Sequence, residues 1–306
     1  MIRKSFFAAL VILGAYHFVL PHLSKRFYQI LGQQRGVYLR AQHYLYDVPQ
    51  ETKVIVGGSM AGMLNDDLLG PGYVKLTVPG DSSFTALEII RRTGNKPKAV
   101  LIETNAFVKD VNQEVIRDLF SPGLHEVRRY SEIFREQGRP SNFVAGFVEA
   151  CVRKTCLWTS AILSRGKSAS VSSPATAGLN PVLGSNLKRI YHDEYDSEPS
   201  PAFLTKQTKQ LADYVDLLSR NGSICILFEM PIDSSLSNLS GPRAWREAMK
   251  ERFPEKEYHW LSFERNHNYQ TSDGIHLVRA EADRLTEVVI DYVNNITQQP
   301  TAASLH

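Results

Sequence analysis

The chain has 306 residues, of which 43% are hydrophobic and 22% are charged, and its formal net charge is +3. This composition is typical of a globular protein and excludes an intrinsically disordered one. The small net charge and the lack of interleaved aromatic and basic residues argue against nucleic-acid binding. The length allows one large α/β domain with insertions, or two small domains.

The amino end carries an apolar run, residues 5–20, with basic residues on both sides. A bilayer span needs roughly 20 residues, and residues 21–23 can complete it. A cleaved signal peptide would need a small-x-small site after the run, and residues 21–25, Pro-His-Leu-Ser-Lys, offer a poor one. We therefore expect an uncleaved signal anchor over residues 1–23, with a cleaved signal peptide as the alternative. A short amino tail before a large domain favours the tail inside, with the domain extracytoplasmic, in the periplasm or at the cell surface.

After a polar stalk at residues 24–50, apolar strands alternate with helical patterns. The predicted strands are residues 54–56, 73–78, 99–102, 223–228 and 258–263, and the predicted helices between and after them are residues 60–69, 85–93, 204–219, 243–252 and 278–293. Strands separated by helices of this length imply crossover connections, and therefore a parallel sheet of about five strands within residues 51–296.

The alternation stops between residues 109 and 201, which we interpret as a helical insertion covering one edge of the sheet. Within it, residues 111–120, 125–137 and 143–163 have helical patterns, whereas residues 166–186 are rich in Ser, Ala, Pro and Gly and predict a loop. The last residues, 297–306, are expected to be a disordered tail.

The first stretch with chemical meaning is residues 54–62, Val-Ile-Val-Gly-Gly-Ser-Met-Ala-Gly. A buried strand followed by two glycines predicts a tight turn, which places Ser59 where a helix should open. The hydroxyl would then project from the carboxyl edge of the sheet, beside unpaired amides that stabilise negative charge. A structural alternative is that Ser59 merely caps the helix.

A serine hydroxyl is a weak nucleophile unless a base removes its proton and a third group orients that base. Asp273 precedes His276 by three residues, just before the closing helix. This spacing lets the carboxylate face one ring nitrogen while the other is free for Ser59. Gly80 and Asn105 follow the second and third strands, where they and the amide of Ser59 could form an oxyanion hole.

Taken in order, these blocks resemble the SGNH superfamily of GDSL-like hydrolases, named for Ser, Gly, Asn and His. Ser59 matches the first block, Gly80 the second, Asn105 the third, and Asp273 with His276 the last. Two blocks depart from the pattern. The first reads Gly-Gly-Ser-Met instead of Gly-Asp-Ser-Leu, and the third reads Glu-Thr-Asn-Ala, without the usual Gly before and Asp after the Asn.

The resemblance covers residues 54–293 apart from the insertion, and it implies a three-layer flavodoxin-like fold and an acyl-serine mechanism without cofactor or metal. With its anchor, the chain is most similar to membrane-anchored, extracytoplasmic members that add or remove acyl groups on cell-envelope polysaccharides. The alginate O-acetylation proteins and the D-alanyl transfer protein of teichoic acids are examples. The implied partners are an acylated glycan or acyl donor and a membrane-bound O-acyltransferase.

The expected function is therefore that of a serine-dependent O-acyltransferase or esterase, with Ser59, Asp273 and His276 catalytic. One alternative is a non-catalytic SGNH-like partner of a membrane-embedded O-acyltransferase, but such a scaffold has no need of all three residues. A nucleotide-binding domain is disfavoured because no Gly-x-Gly-x-x-Gly turn is present. Ser82, in Gly-Asp-Ser, is a rival nucleophile, but choosing it would leave the asparagine block empty.

The remaining candidates predict no metal site, and they leave a bridge between Cys151 and Cys156 open. Residues 192–194, His-Asp-Glu, are expected in a solvated loop, and His259 and His267 are expected to be surface or packing residues. The spacing of the three cysteines does not demand a bridge, and Cys225 is expected to be a buried thiol.

Overall fold

The structure is a computed structural model that describes residues 33–81, 83–105, 109–138, 181–264 and 267–298, with four isolated positions among the first 15 residues. The chain divides into two compact units. One comprises Met1–Tyr46 with Arg117–Ala177, and the other comprises Asp47–Ile116 with Gly178–His306. All of the predicted site residues belong to the second unit.

In the described part of the chain, five strands form one sheet. They are Lys53–Gly57 (β1), Tyr73–Thr77 (β2), Ala99–Glu103 (β3), Ile224–Phe228 (β4) and His259–Leu261 (β5), in the order β2-β1-β3-β4-β5. Every pairing is parallel. The prediction of an α/β fold with a parallel sheet of about five strands is confirmed, and each strand ends within two residues of its predicted bounds.

Ten α-helices have their bounds inside the described ranges. They are Gln33–Tyr46 (α1), Asp66–Leu69 (α2), Ser83–Thr93 (α3), Gln113–Leu119 (α4), Leu124–Tyr130 (α5), Pro181–Tyr195 (α6), Pro201–Arg220 (α7), Ser234–Ser237 (α8), Ser240–Arg252 (α9) and Arg279–Gln298 (α10). Three short 3₁₀ turns accompany them at Ala61–Met63, Glu132–Phe134 and Glu136–Gly138.

The strand order reverses between β1 and β3, because the chain leaves β1 for β2 on one side and then returns past β1 to β3. Open parallel sheets bind their ligands at such a point, outside the carboxyl ends of the strands. The register pairs Val56 with Ile102. Gly57 and Glu103 therefore end their strands side by side, and the residues that follow leave the sheet at the same edge.

Helices cover both faces of the sheet, as the alternation of side chains along the strands shows. Ile226 belongs to an apolar cluster with Leu285 and Val289 of α10. Its neighbour Cys225 points the other way, where its Sγ lies 3.8 Å from the carbonyl oxygen of Val215 in α7. Successive residues of a strand point to opposite faces, so α7 and α10 lie on different sides of the sheet.

The predicted helix at residues 60–69 is wrong, because this segment is a 3₁₀ turn followed by the short helix α2. Lys75 of β2 donates to the carbonyl oxygens of Gly62 and Leu64, which a continuous helix would use internally. Asn65 then starts α2 by accepting a hydrogen bond from the amide of Asp67. Contacts with the neighbouring strand and a new cap thus interrupt the helix.

Two predictions in the insertion also need correction. The helix predicted at residues 125–137 ends at Tyr130 and continues as two 3₁₀ turns. Of the loop predicted at residues 166–186, the last six residues already belong to α6. The helix predicted at residues 143–163 lies outside the described residues.

The described part of the first unit is held together by polar and ring contacts between α1 and the segment after α4. The Tyr46 hydroxyl lies 3.0 Å from Nδ1 of His125. The amide of Glu136 donates to Oε1 of Gln42 at 2.6 Å, and the Arg135 guanidinium lies 4.8 Å from the centre of the Tyr46 ring. The stalk predicted at residues 24–50 thus contains the helix α1, which takes up about half of it and packs against this segment.

None of the helices in the described ranges is long and apolar enough to cross a membrane. The predicted anchor, residues 1–23, lies outside the described residues except for the isolated positions.

The packing of α2 predicts unequal effects for two adjacent leucines. Leu69 is 6% exposed and belongs to the core cluster, whereas Leu68 is 41% exposed. Leu69→Ala should lower the free energy of unfolding by about 2–5 kcal/mol because it leaves a cavity. Leu68→Ala should change it by less than about 0.5 kcal/mol. Urea denaturation followed by circular dichroism measures both, and equal losses would contradict the packing of α2.

Candidate active site

Ser59 lies in a turn that immediately follows β1. Gly57 ends the strand, and a Cβ at that position would lie 2.2 Å from Oε2 of Glu103 and 2.8 Å from Cβ of Ala61. Only glycine fits between these groups. The chain then turns within Gly58 and Ser59, and the amide of Gly62 returns to the carbonyl oxygen of Gly58 at 3.3 Å. Gly57 thus serves the close approach of two strands at their ends, whereas a Cβ at Gly58 would lie 3.0 Å from the carbonyl oxygen of Asp81.

Asp273 organises the loop that carries His276. Its Oδ1 accepts the amides of Ile275 at 3.1 Å and His276 at 2.9 Å. This local turn folds the chain back, so that the His276 ring reaches the other carboxylate oxygen of the same aspartate. Gly274 between them has a φ of +102°, which side-chain-bearing residues rarely adopt. The turn of residues 273–276, Asp-Gly-Ile-His, is therefore formed by contacts among its own residues.

The structure brings Ser59, His276 and Asp273 into one hydrogen-bonded chain. Nδ1 of His276 lies 2.7 Å from Oδ2 of Asp273, and Nε2 lies 2.8 Å from Oγ of Ser59. Burial alone would raise the pKa of Asp273, but hydrogen bonds from the ring and amide of His276 outweigh it and hold the pKa below its usual value. The ionised carboxylate can only accept, so Nδ1 carries the proton and Nε2 accepts from the serine hydroxyl.

Gly80 and Asn105 lie at the same edge of the sheet as Ser59. Gly80 has a φ of +75°, and its carbonyl oxygen accepts a hydrogen bond from Lys109 at 2.8 Å. The Asn105 side chain is clamped to Met230, because its Nδ2 donates to the carbonyl oxygen at 2.9 Å while its Oδ1 accepts the amide at 2.8 Å. One Nδ2 hydrogen of Asn105 remains for other acceptors.

Ser59, Gly80 and Asn105 all line one cavity of about 190 Å³. Its wall also includes Glu103 and Trp245, whose indole nitrogen donates to the carbonyl oxygen of Thr104 at 2.6 Å. Further lining side chains come from the helices around the edge, namely Phe84, Tyr191, Tyr195 and Leu211. A small substrate group placed here would meet the serine hydroxyl and the candidate oxyanion donors together.

Glu103 is a site residue that the sequence reasoning missed. It ends β3, it is 7% exposed, and its Oε2 accepts the amides of Gly58 at 2.7 Å and Ala61 at 3.1 Å. Burial raises the pKa of Glu103 to about 7, although the two amides and the nearby His276 ring partly oppose that rise. The sequence signal was a single acidic residue closing an otherwise apolar strand, Ala-Val-Leu-Ile-Glu.

These contacts correct the expectation that helix amides flank the serine. Glu103 takes the amides of Gly58 and Ala61, so they are paired. In the described ranges the amide of Ser59 donates to no protein acceptor. The amide of Ser59 is therefore a backbone donor that this turn leaves available.

The other candidate residues that the structure describes take no part in this chain of hydrogen bonds. Residues 192–194 are exposed on α6 rather than in a loop, and no group of three His, Cys, Asp or Glu in the described ranges could hold a metal ion. His259 is exposed, and His267 contacts Glu281 at 3.0 Å. Cys225 is a buried free thiol, as expected. Ser82, Cys151 and Cys156 lie outside the described residues.

The sequence matches no model of a known protein family. It also has no significant match among curated proteins. The chemistry of the site therefore has to be inferred from its own geometry.

Ionisation of the two buried glutamates Glu103 and Glu88 should change the free energy of unfolding in opposite directions. The pKa of Glu103 is raised from 4.5 to about 7, so the stability associated with its neutral form is lost as the pH rises through about 7. Burial would raise the pKa of Glu88, but hydrogen bonds from Arg91, Arg92 and Tyr214 lower it to about 2. The ionised form of Glu88 therefore stabilises the fold above pH 4.5.

We expect Glu103→Gln to be more stable than the wild type at pH 8 by about 1–3 kcal/mol. That difference should disappear at about pH 4, where Glu103 is neutral in both the folded and unfolded states. Glu88→Gln, the matched control, should be less stable than the wild type at pH 8. Urea denaturation at the two pH values measures these effects. A Glu103→Gln protein that is less stable at pH 8 would contradict the buried, costly charge.

Proposed function

We propose that the chain is a serine-dependent acyl-ester enzyme, an O-acyltransferase or esterase that forms an acyl-serine at Ser59. The observation that carries this proposal is the unbroken hydrogen-bond chain from Oγ of Ser59 through His276 to Asp273. A serine in such a chain has both a base and a group that orients the base. A capping serine would instead bond to backbone amides of a following helix, and residues 60–64 form no α-helix.

In the first half of the reaction, Oγ of Ser59 attacks the acyl carbonyl carbon while Nε2 of His276 takes the hydroxyl proton. Collapse of the tetrahedral intermediate breaks the ester bond, and His276 returns its proton to the departing alcohol oxygen. Water or a sugar hydroxyl then attacks the acyl-serine and gives its proton to His276, which passes it to Oγ as Ser59 is released. Asp273 stays ionised and stabilises the imidazolium formed in both halves.

The developing oxyanion needs donors that are in place before the reaction. We assign this role to the amide of Ser59, a backbone donor at Gly80, and the second Nδ2 hydrogen of Asn105. The three residues line one cavity, and the hydrogen bonds of Asn105 to Met230 hold its amide plane in one orientation. A donor held in this way costs no reorganisation when charge develops.

A second cavity supports a sugar as the substrate or acceptor. It has a volume of about 660 Å³ and shares Thr104 with the cavity at Ser59. Its lining combines the aromatic side chains Trp260, Phe263 and Tyr269 with polar groups, including Asn238, Arg246 and Asn268. Sugar rings have apolar faces and polar edges, so aromatic side chains beside hydrogen-bonding groups suit them. We infer that an envelope or extracellular polysaccharide occupies this side of the site.

The remaining parts of the proposal rest on the resemblance of the sequence to SGNH proteins. They are a three-layer flavodoxin-like arrangement, an N-terminal transmembrane anchor, an extracytoplasmic domain and cooperation with a membrane-bound O-acyltransferase. The strand order β2-β1-β3-β4-β5, with helices on both faces of the sheet, supports the first of these. The apolar run at residues 5–20 supports the anchor.

A fluorophosphonate probe, which reacts with activated serines, tests the nucleophile directly. Full-length protein should be labelled at Ser59, as mapped by mass spectrometry, and should hydrolyse p-nitrophenyl acetate. Ser59→Ala should lose both properties, and Asp273→Asn should slow both by about a thousandfold or more because the ring tautomer is no longer held. Ser82→Ala and the remote control Ser219→Ala should behave like the wild type.

Labelling at Ser82 would instead favour the rival nucleophile. Folded wild-type protein that is not labelled anywhere would overturn the enzyme proposal and favour a non-catalytic partner.

The product ratio distinguishes transfer from hydrolysis. A transferase must position an acceptor hydroxyl better than it positions water. With an activated acetyl ester and increasing concentrations of envelope glycans, we expect acetylated glycan to rise at the expense of free acetate. Mass spectrometry of the glycan and titration of the acetate measure both products, and Ser59→Ala is the control for uncatalysed transfer. Acetate alone at every acceptor concentration, across the panel of glycans, would identify an esterase.

A further inference from the structure

Glu103 is a buried carboxylate in a place where burial is expensive. All five residues of β3 are buried, and Glu103 is the last of them. An ionised carboxylate loses several kcal/mol of hydration on burial unless partners replace the water. Within the described ranges no basic side chain forms an ion pair with Glu103. Its side chain is instead bound by two backbone amides.

Both amides belong to the turn that carries Ser59. A single oxygen, Oε2, accepts the amide before the serine, that of Gly58 at 2.7 Å, and the amide two residues after it, that of Ala61 at 3.1 Å. Glu103 thereby closes the turn from the side of β3. The fit depends on Gly57, whose missing side chain leaves the space that the carboxylate occupies. Gly57, Gly58 and Glu103 thus shape the turn together: Gly57 leaves the space for the carboxylate, and Gly58 donates its amide to it.

Glu103 is itself held rigidly by its surroundings. Its carbonyl oxygen accepts the hydroxyl of Ser83 at 2.6 Å. The next residue, Thr104, donates its amide to Phe228 at 2.8 Å and accepts the indole of Trp245 at 2.6 Å. The carboxylate therefore extends from a strand end that is itself held by hydrogen bonds, and it binds the turn from there.

The charge of Glu103 also faces the catalytic base. The titratable groups that interact with it are His276, from the loop before α10, and Tyr195 of α6. The cavity that Glu103 lines adds Asp81, Lys109 and Glu194. A neutral acceptor would suffice for a purely structural closure of the turn. An ionised one makes stronger hydrogen bonds to the two amides and favours the imidazolium that forms during the reaction.

We propose that Glu103 is a positioning residue that holds the Gly58–Ala61 turn and so keeps Oγ of Ser59 aligned with Nε2 of His276. It acts through the two amides and does not touch the substrate carbon. The consequence for reactivity rests on the proposed function of Ser59, whereas the consequence for the turn geometry does not. Glu103 is the first residue of the third block, Glu-Thr-Asn, which is one of the two blocks that depart from the SGNH pattern.

The reactivity test measures the second-order rate of fluorophosphonate labelling of Ser59 in full-length protein, normalised to the folded fraction. Glu103→Ala removes both hydrogen bonds and should slow labelling by about a hundredfold, the usual effect of a misplaced nucleophile. Glu103→Gln keeps an acceptor without the charge and should slow it by about tenfold at pH 8.5. Glu88→Gln, another buried carboxylate of the same unit, should stay within about twofold of the wild type.

The pH dependence separates positioning by the ionised group from general structural support. When wild-type Glu103 becomes protonated, it resembles glutamine. The ratio of the wild-type rate to the Glu103→Gln rate should therefore fall from about tenfold at pH 8.5 to about one at pH 5.5. A merely structural glutamate would give a ratio that does not change with pH.

A crystal structure of Glu103→Ala tests the turn without any chemistry. The distance between Oγ of Ser59 and Nε2 of His276, 2.8 Å in the wild type, should exceed the hydrogen-bond limit of about 3.5 Å. One outcome is that the wild type is not labelled while the distance in Glu103→Ala is longer than in the wild type. In that case the proposed function fails and the positioning role of Glu103 stands. An unchanged distance, or Glu103→Ala labelling within twofold of a labelled wild type, would overturn the inference. If the alanine variant does not fold, the labelling rate of Glu103→Gln decides instead, and a rate within twofold of a labelled wild type at pH 8.5 would overturn the inference.

Discussion

The close approach of β1 and β3 at their carboxyl ends is the constraint on which the site depends. Parallel pairing brings Gly57 beside Glu103, and the absence of a side chain at Gly57 lets the carboxylate reach the turn that follows. The turn can then be closed by a hydrogen-bond acceptor from another strand instead of by a helix of its own. Ser59 then lies beside His276 and lines a cavity, at the point where the strand order reverses.

The second half of the site comes from the far end of the chain, and it is built differently. The Asp273 turn is closed by its own side chain, so its shape depends little on the rest of the fold. Its position does depend on tertiary contacts. The carbonyl oxygen of Gly274 accepts the amide of Asp233, whose carboxylate pairs with Lys188 at 2.8 Å. A self-contained turn is thus anchored to the loop after β4 and to α6, and it meets Ser59 across 217 residues.

Buried charged groups affect both the stability of the fold and the geometry of the site. Asp273 and Glu103 are both buried, but they differ in how their charge is balanced. Asp273 accepts two amides and faces the His276 ring, so its ionised form is favoured. Glu103 has only amides on one oxygen, so ionising it costs free energy in the folded state. Keeping such a group beside Ser59 lowers the stability of the fold, while its hydrogen bonds define the geometry of the turn.

The sequence by itself determined the five strands, their parallel arrangement and the four blocks at the sheet edge, because apolar runs, glycine turns and Asp-x-x-His spacing are local patterns. It misjudged residues 60–69, where Lys75 from β2 takes carbonyl oxygens that a helix would use. Only the tertiary structure decided that Asn105 is clamped by Met230 and that Glu103 closes the serine turn. The partner of a buried polar group is whichever backbone passes within about 3 Å, and distant segments come that close only when the sheet is assembled.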